Sequence, residues 1–77
     1  MTKKELLKRF KDENIPASCY SLEGGLPGEK WCIGKTLTSW EVYYSERGIK
    51  SDLKIFSSEA EACDDLYNRI KGASKYW

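Results

Sequence analysis

The stretch Trp40-Glu41-Val42-Tyr43-Tyr44-Ser45-Glu46-Arg47-Gly48-Ile49-Lys50-Ser51-Asp52-Leu53-Lys54-Ile55-Phe56 decides how this chain folds. Two runs rich in β-branched and aromatic residues flank Arg47-Gly48, and glycine supplies the positive φ that a tight hairpin needs. With Arg47 and Gly48 as a two-residue loop, Val42 faces Leu53, Trp40 faces Ile55, Glu41 faces Lys54 and Tyr43 faces Asp52. One face of the hairpin is then apolar and the other polar, with an opposite-charge pair on it. A three-residue loop would set Glu41 against Ile55 and mix the faces, so the pattern selects the even loop.

Working outward, Trp31 to Leu37 reads as the preceding strand. If Leu37-Thr38 turns the chain, Ile33 faces Val42 and Trp31 faces Tyr44, on the same side as Leu53 and Ile55. The expected core layer is therefore Trp31, Ile33, Trp40, Val42, Tyr44, Leu53 and Ile55. The opposite face reads Cys32, Gly34, Glu41, Tyr43, Ser45, Lys50, Asp52 and Lys54. Leu53→Ala is expected to cost about 2–5 kcal/mol as a core truncation.

Helices are expected at both ends. Thr2-Lys3-Lys4-Glu5 fits a capping box, and Leu6, Leu7 and Phe10 follow at helical spacing. This helix should stop near Glu13, because Pro16 disfavours helical geometry at Ile15. Its basic residues are diluted by Glu5, Asp12 and Glu13 and read as a solvated side. A second capping box, Ser58-Glu59-Ala60-Glu61, opens a helix whose buried stripe is Cys63, Leu66, Tyr67 and Ile70, with Gly72 as its C′ residue. Between the first helix and the Trp31 strand, Cys19 to Leu22 reads as a short edge strand. The Gly/Pro-rich segment of residues 23–29 follows it as a structured turn. That segment lacks the Gly-Lys-Ser/Thr ending of a phosphate-binding loop, and no helical pattern follows it. The expected fold is α+β, in the order α-β-β-β-β-α: a small antiparallel meander with two terminal helices packed on one face, forming one domain over residues 1–77.

Composition narrows the functional classes. The chain has 77 residues, a net charge of +1 and no His. A charge so near zero does not suit a polyanion binder that works by bulk electrostatics. Without His the commonest general base is missing, along with the usual Ser or Cys triad. Asp64-Asp65 and the Glu59/Glu61 pair lie on a helix surface, where adjacent side chains diverge by about 100°. Cys19, Cys32 and Cys63 are odd in number and lack CxxC spacing, so they read as free thiols in a reducing compartment. No enzyme activity, metal or cofactor is expected. The charged residues from Met1 to Phe10 leave no apolar stretch for a secretory signal, and no run reaches the ~20 apolar residues of a membrane span. The expected location is the cytoplasm.

Leu22-Glu23-Gly24-Gly25-Leu26-Pro27, then Trp40-Glu41-Val42-Tyr43-Tyr44-Ser45-Glu46-Arg47-Gly48 and Phe56-Ser57-Ser58-Glu59-Ala60-Glu61-Ala62-Cys63, together cover most of the chain. In these stretches the sequence resembles small bacterial immunity proteins encoded beside polymorphic toxins, including those of contact-dependent growth inhibition systems. The resemblance is one of sequence texture and carries no defining catalytic motif. It implies a non-enzymatic partner for one cognate toxin domain, often a nuclease, whose active site is blocked. Many such proteins are acidic, whereas this chain is nearly neutral, which favours shape complementarity with a few charged anchors. The alternative is a small nucleic-acid-binding or regulatory module, with Tyr43, Arg47, Lys50 and Lys54 as a stacking platform. For a protein partner, the expected contact residues are Glu41, Tyr43 and Asp52 on the polar sheet face and Glu46 and Arg47 at the hairpin tip. Tyr and Arg are the commonest hot spots, and the acids suit a basic nuclease site. The loop of residues 23–29 and the Asp64-Asp65 edge are the next surfaces to consider.

Overall fold

The computed structural model describes residues 1–25 and 28–73. Leu26 and Pro27 of the Gly/Pro-rich segment and the Tyr76-Trp77 tail lie outside the described residues. The order is α1 (Lys3–Asp12), a 3₁₀ turn (Ala17–Cys19), β1 (Tyr20–Ser21), β2 (Lys30–Lys35), β3 (Trp40–Glu46), β4 (Ile49–Phe56) and α2 (Glu59–Ala73). The α+β class and the α-β-β-β-β-α order are as the sequence predicts.

Both helix starts follow from their capping residues. Thr2 Oγ1 accepts from Glu5 N, and Glu5 Oε1 accepts from Thr2 N, each at 3.3 Å. At α2, Ser58 Oγ accepts from Glu61 N at 3.2 Å, and the Glu61 carboxylate takes the Ser57 and Ser58 hydroxyls. Each cap satisfies a backbone donor that has no partner inside the helix. The end of α1 is a Schellman motif built on Asn14, whose φ is 58°. Ile15 N donates to Phe10 O at 2.8 Å and Asn14 N to Lys11 O at 3.1 Å. Ile15 is thereby turned into the core. Gly72 does not end α2, which runs through it to Ala73. Gly72 has open space around it and is not among the glycines of positive φ, so it continues the last turn of the helix and does not cap it.

The four strands form one sheet in the order β1-β2-β3-β4. The β2–β3 pairing has the predicted register, with Ile33 opposite Val42 and Trp31 opposite Tyr44. Its turn lies at Leu37-Thr38, closed by Thr36 N donating to Ser39 O at 2.8 Å. One expectation fails here: β1 pairs with β2 in parallel, Tyr20 opposite Trp31, so the sheet is mixed rather than a pure meander. The segment joining β1 to β2 must therefore carry the chain back along the sheet.

The β3–β4 hairpin starts as predicted and then departs. Arg47 and Gly48 have φ values of 51° and 77°, and Glu46 pairs with Ile49, so the loop has two residues. Between Tyr44–Ser51 and Val42–Lys54 the register shifts, and Asp52 adopts φ 53°. Asp52 and Leu53 together oppose Tyr43: a bulge. Aspartate tolerates this left-handed backbone better than most side chains do. Beyond the bulge Glu41 pairs with Ile55 and Trp40 with Phe56. Leu53 and Ile55 consequently leave the helix side of the sheet and are 47% and 56% exposed. The predicted pairs Val42–Leu53 and Trp40–Ile55 do not form.

The core lies between the two helices and one face of the sheet. Leu6, Phe10, Ile15, Tyr20, Ile33, Val42, Ala62, Cys63, Leu66 and Ile70 are buried together, with Trp31, Trp40, Phe56 and Tyr67 half-buried around them. Phe56 takes the place the register had assigned to Ile55. Each large side chain removed from water here contributes about 1.5–3 kcal/mol. The Phe10 and Tyr20 rings, 4.4 Å apart, tie α1 to the short β1 strand.

Candidate protein-binding surface

The other sheet face is not open over its whole width. The β1–β2 connection crosses it, and the Tyr43 hydroxyl donates to Gly25 O at 2.6 Å. Gly24 (φ 70°) presses against Gly34, so that a methyl group on Gly34 would lie 3.4 Å from Gly24 Cα. Close approach of the two backbones is possible because both residues lack a side chain. Beneath this cover Cys32, Tyr43 and Ser45 are buried. Burial pushes the Tyr43 phenol up to about 12, with the neighbouring Cys32 and Glu41 adding to the effect.

This cover rearranges the predicted contact residues. Tyr43, expected on an exposed face, is 1% exposed and is an interior residue. Glu41 is half-buried and held by Lys50 at 2.7 Å, and the Lys50 ammonium also lies 4.6 Å from the Tyr43 ring centroid. Glu46 and Arg47 stand exposed at the hairpin tip, and Asp52 stands exposed at the bulge. Of the five, only these last three offer their side chains to a partner, and they lie at separate points along the hairpin.

The residues that sequence reasoning missed are apolar. Ile49 is 65% exposed, Leu53 47% and Ile55 56%, all on β4, and Leu37 at the β2–β3 turn is 102% exposed. Pro, Gly, Asp and Asn are depleted in strands, so Asp52 in the middle of a β-rich run was the available sign of a bulge. β4 is an edge strand of the sheet. On the helix side it borders a groove of about 300 Å³ lined by Trp31, Asp52, Lys54 and Arg69. Arg69 anchors the groove. Its Nε lies 2.7 Å from Asp65 Oδ2, its Nη1 donates to the Asp52 carbonyl at 2.7 Å, and its guanidinium lies 5.4 Å from the Trp31 ring centroid.

Cys19, Cys32 and Cys63 are free thiols; burial raises the Cys32 thiol and pushes Cys63 up to about 11, which disfavours the thiolate at both. Among the described residues no group of three or more His, Cys, Asp or Glu side chains could hold a metal ion. Asp65 is engaged by Arg69, and Glu59 accepts from Lys3 N at 3.2 Å. No helix among the described residues is long and apolar enough to cross a membrane. Searches of protein-family models, curated proteins and solved structures found no match to this chain.

Proposed function

We propose that this chain is a non-enzymatic protein-binding module, and that it neutralises a cognate bacterial toxin domain by covering its active site. The observation that carries the first part is the exposure of Ile49, Leu53 and Ile55 along one outer strand. Leu53 and Ile55 lie together on one face of that strand, and exposed apolar side chains at a sheet edge mark a place where a partner can pair. The second part rests on the resemblance to immunity proteins. It is supported by the accessible charges at Glu46, Arg47 and Asp52, which stand on the same hairpin as the apolar residues. A basic nuclease site would receive the two carboxylates, and Arg47 supplies a directed donor. The total accessible surface is 4894 Å², of which a standard interface of ~800 Å² would take about a sixth. That area requires the hairpin together with a flanking loop or helix edge.

The experiment is co-production with the product of the neighbouring gene. The expected result is a growth-arresting toxin whose effect this chain lifts. A neighbouring product that arrests growth regardless of the chain, or no such product, contradicts the toxin reading.

One observation favours nucleic-acid binding as a second reading: Lys4, Lys8 and Lys11 stand exposed on one side of α1. The aromatic platform expected for that role has gone, because Tyr43 is buried. Three lysines without stacking rings give weak, salt-sensitive, sequence-independent attraction.

A further inference from the structure

This inference rests on the protein-binding reading and says what kind of segment β4 takes. Beyond the bulge at Asp52, residues 53–56 lie at the edge of the sheet, and among the described residues no strand pairs with their outer side. Its side chains alternate between two different environments. Leu53 and Ile55 project on the face away from the helices and are exposed. Lys54 projects on the helix side, at the groove it shares with Trp31, Asp52 and Arg69. Among the described residues Lys54 has no ion-pair partner, and it does not reach the Asp52 carboxylate within ion-pair distance. Arg69, by contrast, is already held by Asp65 and the Asp52 carbonyl.

A strand laid along this edge would alternate in the same way, because successive side chains of an extended chain point to opposite faces. On one face it would meet the apolar pair Leu53 and Ile55; on the other it would meet the ammonium of Lys54. We propose that the β4 edge accepts an extended segment of a partner protein in which apolar side chains alternate with carboxylates. Backbone hydrogen bonds to residues 53–56 would hold the segment, and the alternation would select it. A second copy of β4 is a poorer occupant. Paired antiparallel about Lys54 it sets lysine against lysine, and paired about Ile55 it sets Lys54 against Phe56. Neither arrangement supplies a carboxylate, and the pairing about Leu53, which would set Lys54 against Asp52, runs into the left-handed backbone of the bulge.

The test is a titration of the ¹⁵N-labelled full chain with two capped hexapeptides, one alternating valine with glutamate and the other valine with lysine. The expected result is that the acidic peptide shifts the amides of residues 53–56 and binds about tenfold tighter than the basic one. Lys54→Glu should reverse that preference. Leu53→Ser combined with Ile55→Ser should weaken both peptides about tenfold, with the rest of the spectrum unchanged. Equal binding of the two peptides, shifts centred on another element, or no binding at millimolar peptide overturns the proposal. Concentration-dependent dimerisation through residues 53–56 overturns it in favour of a second copy. Growth rescue alongside a failed titration would leave the toxin reading standing and remove only this mode of docking.

Discussion

Tyr43 shows how one residue can change role with what lies over it. Strand alternation puts it opposite the helices, where an exposed hot spot would be expected, yet the Gly24–Gly25 backbone seals it in. Its hydroxyl makes a net contribution of about 1 kcal/mol through the bond to Gly25, so Tyr43→Phe should lose roughly that amount. Tyr43→Ala should lose about 3–5 kcal/mol, as a buried aromatic does. Urea unfolding checks both; losses under about 0.5 kcal/mol would return Tyr43 to the surface. At Glu13, hydrogen bonds from Lys71 and then Tyr67, at 2.7 and 2.6 Å, hold the carboxyl below its ordinary value of 4.5. A carboxyl lowered by folding stabilises the native state above its unfolded value, and that stability is lost as pH falls through the lowered folded value. Melting temperatures measured from pH 6 down to pH 2 should therefore fall less steeply for Glu13→Gln than for the wild-type chain; parallel curves would contradict the assignment.

At the scale of elements, the bulge in β4 is the decisive feature. Asp52 occupies left-handed backbone at φ 53°. Asp52→Gly should be neutral or stabilise by up to about 1 kcal/mol, whereas Asp52→Val should cost about 1–3 kcal/mol. The same bulge revises the expectation for Leu53. At 47% exposure Leu53→Ala should cost under about 1 kcal/mol, while a truncation at the fully buried Ile33 should cost about 2–5 kcal/mol. Chemical denaturation of these four variants separates the bulged hairpin from a regular one. Much of the hairpin was legible beforehand. Gly48 marked the loop, the alternation of Trp31, Ile33, Val42 and Tyr44 gave the β2–β3 register, and Thr2, Glu5 and Ser58 announced the helix starts. The bulge was hidden because an even register with matched faces satisfied the pattern without it. The parallel β1 was hidden because two residues carry no periodicity, and its direction is set by where the connecting loop lands. That landing also hid the burial of Tyr43, since it depends on Gly24 meeting Gly34 across the sheet.

Over the whole molecule, two helices and a small mixed sheet give one well-packed face and one face only partly covered. The covered side holds all of the large core cluster. On the other side the β1–β2 loop covers the β2 and β3 positions, leaving β4 with its apolar edge. The thiols report on this layering. In the native protein Cys19 should react quickly and Cys32 and Cys63 slowly, because the last two are buried. In denaturant without reductant all three should titrate, and a count of one would contradict the free-thiol assignment.

Everything said of the binding surface depends on the bulged register, so cross-strand contacts in solution test it most directly. Nuclear Overhauser effects should connect Tyr44 with Ser51, Val42 with Lys54 and Glu41 with Ile55, with Asp52 and Leu53 both near Tyr43. An unbroken ladder joining Val42 to Leu53 and Trp40 to Ile55 would instead place both apolar residues under the helices, and would contradict the account.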